Sequence, residues 1–434
     1  PALVAYVQAV GRRLADHSPR RDVEYRFQVV DRGEPNAFAL PGGYVYVTRG
    51  LLVLVNSEDE LAGVIGHEIG HVAARHSVQQ ISRAAPLAVV TGIGAAVTGI
   101  VSPGLGRAVG GAGAAASELI LAPYNRDQER EADRVGQTLA ATAGWDPGGL
   151  PAFLGTLGRE EDLSRGGPRR PSFLDSHPAT PERVAATAEH ARELARAPGV
   201  PISPDRAAFL RRLEGLVVGA RAAEGVFDGP RFRHPDLDFT VGFPDRWSTE
   251  NNREQVAAVA PDQQAFMTLE VVARGDDPLM GAKVLEEASR APVLQTTERL
   301  TVGGLPAARA RLRGRTDTSE IIALFVWIAY RGRVYQIAGV TPFERSEGFR
   351  PVFESVMQSF RPLTQPERLS IREDRLRLVE AGEGETVSAL TARSGTRWSA
   401  TMVAVANGLA LSDRLRQGQL VKVALSEPYT APAR

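Results

Sequence analysis

The 434-residue sequence contains no cysteine, which excludes disulfide bonds and thiolate metal ligands but does not fix a cellular compartment. It also has no excess charge of either sign, because 51 lysines and arginines balance 51 aspartates and glutamates. A general attraction to nucleic acid or to an anionic membrane is therefore not expected, and we predict no nucleic-acid partner. The hydrophobic fraction of 43% and the charged fraction of 24% are typical of a soluble globular protein. About two to four domains are expected at this length.

The most informative segment that is present reads His-Glu-Ile-Gly-His, at residues 67–71. Two histidines four positions apart on a helix share one face and one turn, so a neutral imidazole from each can reach one zinc ion. Glu68 is then left beside the open coordination position, where a general base for the metal-bound water belongs. The alternative is a core helix with two buried, hydrogen-bonded histidines. The helical context favours the metal, since Ser57 and Glu60 form a capping-box signature before an apolar run with helical spacing.

A catalytic zinc ion usually takes three protein ligands and keeps one position for water. Glu129 and Asp133 are four positions apart on a predicted second helix, so their carboxylates face the same way. One of them can bind the metal while the other accepts a hydrogen bond from a ligand histidine. The alternative is a solvated helix of mixed charge, a description that suits Arg130 and Glu131.

The pattern HExxH followed by ExxxAD resembles the gluzincin peptidases of the HtpX, CAAX prenyl protease and BepA-like group. The likeness covers about residues 1–195 and includes residues 36–50, the Arg75-His76 pair and residues 176–183. This resemblance implies one zinc ion per chain, held by His67, His71 and Glu129. It also implies that Glu68 is the base and that Asp133 supports a ligand from outside the coordination sphere.

The same resemblance implies that His177 approaches the metal, either as a fourth, inhibitory ligand or as a transition-state donor. The sequence around it also predicts a turn and a helix start, with Thr180 as cap and Pro181 at the first helical position. Arg183, one turn into that helix, is predicted to orient a carboxylate or to stabilise the oxyanion. His76 follows His67 by nine positions, about 180° around a helix, so it is not predicted to bind the same ion. The remaining histidines lack ligand spacing and are predicted to be surface or packing residues: His17, His190 and His234.

These residues predict a zinc metalloendopeptidase, and the resemblance implies that it hydrolyses peptide bonds of misfolded or stalled envelope proteins. The strand Tyr44–Thr48 is predicted to offer its edge to a polypeptide substrate by strand addition. The alternative is a largely inactive scaffold or chaperone-like assembly factor whose site is closed by His177. The predicted location is the extracytoplasmic bacterial envelope, either in the periplasm or in association with membrane or wall. An initial methionine and a leader are missing, so we expect a processed or trimmed N-terminus that has lost a signal sequence or a lipid-anchored cysteine.

No apolar run reaches the roughly 20 residues that a membrane-spanning helix needs. The nearest is residues 86–123, which are rich in alanine and glycine, break at Pro103-Gly104 and include Arg107. We predict a tightly packed helical hairpin here, serving as a lid or as a peripheral membrane contact beside the active site. A spanning segment is the alternative.

We predict an α+β, multidomain chain. Residues 1–195 are expected to form a mainly helical zinc-peptidase domain with a small β-sheet, and residues 196–230 a linker with a short helix. Residues 231–363 resemble the small PsbP/Mog-like α+β domains, with strands predicted at 265–272, 307–313, 321–330 and 333–340. Residues 364–434 resemble a LysM module, which implies peptidoglycan as a partner; a purely structural cap is the alternative.

Overall fold

The computed structural model describes residues 2–79, 124–164, 172–315 and 319–431. The segment 86–123, for which a helical hairpin is predicted, lies outside the described residues. Within the described ranges, no helix combines the length and the apolarity that crossing a membrane requires.

The described chain forms two compact units. The first draws its residues from within Pro1–Ala85, Glu118–Ala220 and Glu373–Glu427, and the second from within Arg221–Arg372 and Pro428–Arg434. The expectation of a multidomain chain that mixes helices and sheets is confirmed. Among the described residues, the contacts divide the chain at 220/221, 372/373 and 427/428, whereas boundaries were predicted at 195/196, 230/231 and 363/364. The assignment of those segments to a peptidase, a PsbP/Mog-like and a LysM-like domain stays a prediction.

The α-helices with both ends inside the described residues are numbered here in chain order. They are α1 (Ala2–Ala15), α2 (Arg49–Leu54), α3 (Glu58–Ala73), α4 (Arg126–Thr142), α5 (Gly149–Ser164), α6 (Phe173–Ser176), α7 (Pro181–Glu193), α8 (Arg206–Leu213), α9 (Leu279–Ser289), α10 (Ser346–Gln358), α11 (Gln365–Ser370), α12 (Val387–Ser394) and α13 (Ala400–Ala406).

The strands of the described residues are numbered in the same way. They are β1 (Arg26–Val30), β2 (Ala37–Leu40), β3 (Tyr44–Thr48), β4 (Val217–Val218), β5 (Val226–Asp228), β6 (Arg231–His234), β7 (Phe239–Gly242), β8 (Ser248–Asn251), β9 (Gln255–Val259), β10 (Phe266–Arg274), β11 (Glu298–Val302), β12 (Leu305–Arg315), β13 (Glu320–Tyr330), β14 (Arg333–Pro342), β15 (Arg361–Pro362), β16 (Arg372–Glu380) and β17 (Leu420–Pro428).

Helix α3 lies at the centre of the first unit and begins with the predicted cap. The Ser57 hydroxyl accepts the backbone N–H of Glu60 at 3.1 Å, which satisfies one of the free donors of the first turn. The Glu60 carboxylate does not complete a reciprocal capping box, because its Oε2 accepts the N–H of Asn56 at 2.8 Å. The helix ends at Ala73, and Arg75 takes a left-handed conformation with φ of 59°. That conformation cannot continue a right-handed helix.

Helices α3 and α4 approach each other closely because glycines face each other across the contact. A Cβ atom on Gly66 would lie 2.8 Å from the carbonyl oxygen of Gly136, and one on Gly136 would lie 2.5 Å from the nitrogen of His67. A Cβ atom on Gly70 would lie 2.8 Å from the carbonyl oxygen of Ala132. This close approach brings the acidic side chains of α4 within reach of the histidines of α3.

The C-terminal segment 373–427 belongs to the same unit as α3. Strand β16 pairs with β4, and these two strands and β17 form a three-stranded sheet. The side chain of Lys422, on β17, is completely buried. Its ammonium donates hydrogen bonds of 2.8 to 2.9 Å to three carbonyl groups around the end of α2, those of Val53, Leu54 and Val55.

The second unit contains a seven-stranded antiparallel sheet in the order β11-β12-β13-β14-β10-β9-β8 and a smaller sheet in the order β15-β7-β6-β5. Side chains of β13 alternate between its two faces, so that Phe325 and Trp327 pack with α9 while Val326 and Ile328 pack with α10. Both faces are therefore covered. The strands predicted within 265–340 are confirmed as β10, β12, β13 and β14, and Trp327 on β13 is fully buried in the core.

His234 in this unit gives rise to a pH-dependence prediction. Its Nδ1 accepts the backbone N–H of Leu237 at 3.2 Å, and burial lowers its pKa to about 4. The unfolded chain therefore binds a proton at a higher pH than the folded chain does, so stability is lost as pH falls from about 6.5 to about 4. This histidine should account for up to about 3 kcal/mol of that loss.

The prediction can be tested with His234→Asn, whose side-chain oxygen keeps an acceptor near Leu237 but does not titrate. Hydrogen-exchange free energies of the β6 and β7 amides should fall more steeply with acidification in the wild type than in the variant. Equal slopes for both proteins would contradict the assignment.

Candidate metal centre

Four buried side chains converge in the first unit: His67 and His71 from α3, Glu129 from α4, and His177 just after α6. One ligand atom from each lies within 4.8 Å of those of the other three. The Nε2 atoms of His67 and His71 are 2.9 Å apart, and Nδ1 of His177 lies 2.8 Å from Oε1 of Glu129. None of the four side chains is more than 4% exposed.

Local sequence explains how His177 reaches this position. Ser172 and Asp175 form a capping box that starts the short helix α6, and His177 caps its C-terminus. The ring of Phe173 stacks on the His177 ring with centroids 4.3 Å apart. The predicted helix start that follows is confirmed, since Thr180 caps α7 and Pro181 is its first residue.

Asp133 and Arg183 form a second layer around the cluster. Nδ1 of His67 lies 2.9 Å from Oδ1 of Asp133, which leaves Nε2 of His67 facing the cluster. The Arg183 guanidinium donates to both oxygens of Asp133 at 2.7 and 2.8 Å, and its Nη1 lies 2.6 Å from Oε2 of Glu129. Arg183 therefore contacts both carboxylates, and its predicted role in orienting a carboxylate or stabilising the oxyanion stays a prediction.

Glu68 lies beside the cluster without joining it. Its side chain is 1% exposed, and its Oε1 lies 3.7 Å from Nε2 of His177. Among the described residues, no donor makes a hydrogen bond to that oxygen. Burial raises the pKa of Glu68, while the charges of His177 and His67 oppose the shift. Such a carboxylate can take up a proton more readily than an exposed one.

The electrostatics of Glu129 and His71 suit a cation, because they favour an ionised carboxylate and a neutral imidazole. Burial by itself would raise the pKa of Glu129, but the His177 charge and hydrogen bonds from His177 and His71 hold it well below its usual range. Burial, together with the charge of His67, holds the pKa of His71 well below its usual range. Burial would lower the pKa of His67, but the hydrogen bond to Asp133 and the negative charges of Glu129 and Asp133 raise it overall.

The donor set fits a metal ion. Ring nitrogens of His67 and His71 face each other at 2.9 Å, and both also face the carboxylate of Glu129 at 3.7 and 3.3 Å. Acceptor atoms converge in this way around a shared proton or a cation. Two imidazoles and a carboxylate are the donors of many catalytic zinc sites, and an ionised carboxylate is the form that binds metal.

Three residues that the sequence did not mark as functional lie next to the cluster. The ring of Tyr124 stacks on His71 with centroids 4.0 Å apart, and its hydroxyl lies 3.1 Å from that of Ser77. His76 is not a member of the cluster, but its Nδ1 lies 3.0 Å from Nδ1 of His71. The helical angle calculated for His76 does not apply, because α3 ends at Ala73.

The prediction that strand Tyr44–Thr48 offers its edge to a substrate is wrong in its choice of strand. This strand, β3, is the central one of its sheet, with β1 on one side and β2 on the other. Among the described residues, β2 is the edge strand on the second side. The N–H of Thr48 donates to the carbonyl of Asn36. In this register the backbone N–H and C=O groups of Ala37 and Ala39 point away from β3. The Ala39 carbonyl accepts a hydrogen bond from the Ser77 hydroxyl at 3.2 Å.

Residues 1–191 match peptidase family M48. The matched stretch contains every member of the cluster, together with Glu68, Asp133 and Arg183. The resemblance drawn from the motifs is therefore confirmed at the level of this family, although the match covers less than half of the chain. It supports a peptidase and implies a bound metal ion.

Curated relatives agree with this match. The chain is 28% identical over 261 residues to the beta-barrel assembly-enhancing protease of Escherichia coli (strain K12), covering 59% of this chain and 50% of that protein. It is 32% identical over 180 residues to the mitochondrial metalloendopeptidase OMA1 of Schizosaccharomyces pombe, covering 41% and 50% respectively. The chain thus spans about half the length of the curated relatives it matches.

Among solved structures, the cyanobacterial PsbP protein of Synechocystis is 13% identical, over 32% of this chain and 95% of that one, with a TM-score of 0.25. A likeness this weak carries no argument. The PsbP/Mog-like and LysM-like interpretations stay predictions.

Proposed function

We propose that the chain is a zinc-dependent endopeptidase in which His67, His71 and Glu129 hold the metal and Glu68 is the general base. The observation that carries the proposal is the buried convergence of these ligand atoms within 4.8 Å, with the Glu68 carboxylate beside them. A bound zinc ion would supply a Lewis acid for the scissile carbonyl and lower the pKa of a water molecule towards about 7.

Glu68 moves the proton in this proposal. Its carboxylate accepts a proton from the attacking water and later delivers it to the leaving amine as the carbon–nitrogen bond breaks. The raised pKa of the buried side chain brings its basicity closer to neutral pH, where proton transfer in both directions is efficient. Asp133 keeps His67 in the tautomer that presents Nε2, and Arg183 holds Asp133 and Glu129 in place.

The substrate is proposed to be a polypeptide that pairs with the outer edge of β2. Strand addition would require the outward backbone groups of Ala37 and Ala39 to become accessible, because Ala37 is fully buried and the Ala39 carbonyl accepts the Ser77 hydroxyl. Recognition through backbone atoms would leave the sequence preference loose. The relative named as a beta-barrel assembly-enhancing protease motivates misfolded or stalled envelope proteins as substrates and the extracytoplasmic bacterial envelope as the location. We also propose that peptidoglycan is bound by residues 364–434 and that a membrane is contacted by residues 86–123.

A second candidate function rests on the position of His177. Its Nδ1 lies 2.8 Å from Oε1 of Glu129 and 3.2 Å from Nε2 of His67, inside the group of ligand atoms. With four protein ligands, a zinc site is closed and structural, whereas a catalytic site keeps a position for water. A chain held in this state would be a scaffold or chaperone-like assembly factor that rarely hydrolyses peptides.

Hydrolysis of casein, measured with and without a chelator, tests the proposal. We expect the wild type to be slow and sensitive to the chelator. His177→Ala should be several-fold faster, because it keeps three ligands and frees a position for water. His190→Ala, which removes a histidine outside the cluster, should match the wild type.

Other outcomes separate the two functions. If neither the wild type nor His177→Ala hydrolyses casein although both bind zinc, the scaffold function is favoured. If His177→Ala is slower than the wild type with its zinc retained, His177 is a transition-state donor rather than an inhibitor.

A further inference from the structure

We propose that His76 is a positioning residue for the metal ligand His71, and that Glu131 in turn positions His76. The inference rests on the proposed function, since it takes His71 as a zinc ligand through Nε2. The structure places three groups in sequence: Nδ1 of His71 lies 3.0 Å from Nδ1 of His76, and Nε2 of His76 lies 3.3 Å from Oε2 of Glu131.

The orientation of His71 decides which of its nitrogens faces the metal. Its Nε2 lies 2.9 Å from Nε2 of His67 and 3.3 Å from Oε1 of Glu129, so this atom points into the cluster. Its Nδ1 points the opposite way, at His76. An imidazole that gives Nε2 to a cation carries its proton on Nδ1.

The orientation of His71 determines where His71 and His76 carry their ring protons. Two ring nitrogens at 3.0 Å share one proton, so the Nδ1–H of His71 donates and Nδ1 of His76 accepts. A neutral His76 therefore carries its own proton on Nε2, where the Glu131 carboxylate accepts it. Every donor in this series meets one acceptor, and no other arrangement of the protons satisfies both contacts while leaving Nε2 of His71 free for metal.

The local fold is built to make this contact. On a continuous helix, His76 would stand about 140° around the axis from His71. Helix α3 instead ends at Ala73, and Arg75 has a left-handed conformation that interrupts the right-handed helix before His76. The His76 side chain becomes 1% exposed, with its ring centroid 5.0 Å from that of His71.

The two imidazole ligands therefore have different outer partners. His67 faces Asp133, a buried carboxylate held by Arg183. His71 faces a neutral imidazole, and the carboxylate that supports that imidazole is 56% exposed. Outer partners fix the tautomer and ring orientation of a ligand and commonly change metal affinity by about 10- to 100-fold when removed. His76 is assigned this role for His71.

Zinc affinity of the full chain, measured by competition with a chromophoric chelator, tests the assignment without relying on activity. His76→Phe removes the acceptor and should raise the Kd for zinc about 10- to 100-fold. His76→Gln offers an acceptor to His71 and a donor to Glu131, and should stay within a few-fold of the wild type. Glu131→Ala should weaken binding several-fold, whereas Asp127→Asn, an exposed carboxylate on the same helix, should have no effect.

A purely structural role is distinguished by two further results. In the zinc-loaded wild type, nitrogen NMR should show His76 protonated on Nε2 and unprotonated on Nδ1; the reverse tautomer would overturn the assignment. If His76→Phe does not fold, Glu131→Ala still decides, and wild-type affinity in that variant would overturn the proposal. If the wild type binds no zinc, the proposed function itself is refuted. If the wild type binds zinc and the variants bind it equally well, only the role of His76 is refuted.

Discussion

Replacement of Glu68 by glutamine is expected to lower kcat for peptide hydrolysis by about 10²- to 10⁴-fold while leaving zinc affinity unchanged. The glutamine amide has the size of the carboxylate but cannot take a proton from the attacking water. Zinc affinity should persist because the four ligand atoms that converge belong to other side chains. The effect should therefore fall on kcat rather than on metal content.

The position of Glu68 makes this test specific. Among the described residues, no donor bonds its Oε1, so the substitution breaks no hydrogen bond at that atom. Burial of an ionised carboxylate is unfavourable, as the raised pKa of Glu68 indicates. Replacing it with a neutral amide should therefore not destabilise α3. Zinc content, chelator competition and the unfolding midpoint should therefore match those of the wild type.

Glu189→Gln is the matched control, because Glu189 is an exposed glutamate on α7 outside the cluster. It should keep full activity. Undiminished turnover by Glu68→Gln would show that another group accepts the proton and would remove the proposed mechanism.

The local part of the site could be predicted from the sequence. His67, Glu68 and His71 lie on one helix, and helical periodicity alone fixes which of them share a face. The contact with Glu129 and Asp133 is different, because it depends on how closely α4 approaches. That distance is set by Gly66 and Gly136, which lack side chains. The sequence shows both glycines but does not show that they face each other.

His76 and β3 show why the remaining features could not be predicted. The angle assigned to His76 assumed a helix that continues, whereas the chain turns at Arg75 into a conformation that few residues other than glycine adopt. Alternation of side chains identified β3 as a strand. It could not show that β1, which precedes β2 in the chain, pairs with the other edge of β3, since the alternation within one strand does not identify its partners.

Lys422 makes a related point for the C-terminal segment. Lysine is almost never fully buried unless it is paired, and no pattern in the sequence marks this one as buried. It is one of only two lysines in the chain, the other being the exposed Lys283 on α9. The three carbonyl acceptors of Lys422 require three N–H donors, which only the charged ammonium provides. Burial lowers the pKa of Lys422 well below its ordinary value, and the charge of Glu60 opposes that shift.

Lys422→Met is expected to destabilise the first unit by about 2 to 5 kcal/mol, because buried carbonyl groups that lose their donor cost about 1 to 3 kcal/mol each. The methionine fills the space of the lysine stem but leaves the carbonyls of Val53, Leu54 and Val55 without this donor, in a site with no access to water. Hydrogen-exchange free energies of the α3 amides should fall by that amount, while those of β13 and β14 in the second unit serve as an internal reference. Lys283→Met should change stability by no more than about 0.5 kcal/mol. If Lys422→Met is equally mild, the C-terminal segment does not hold the turn between α2 and α3, and the metal-binding helix is stable without it.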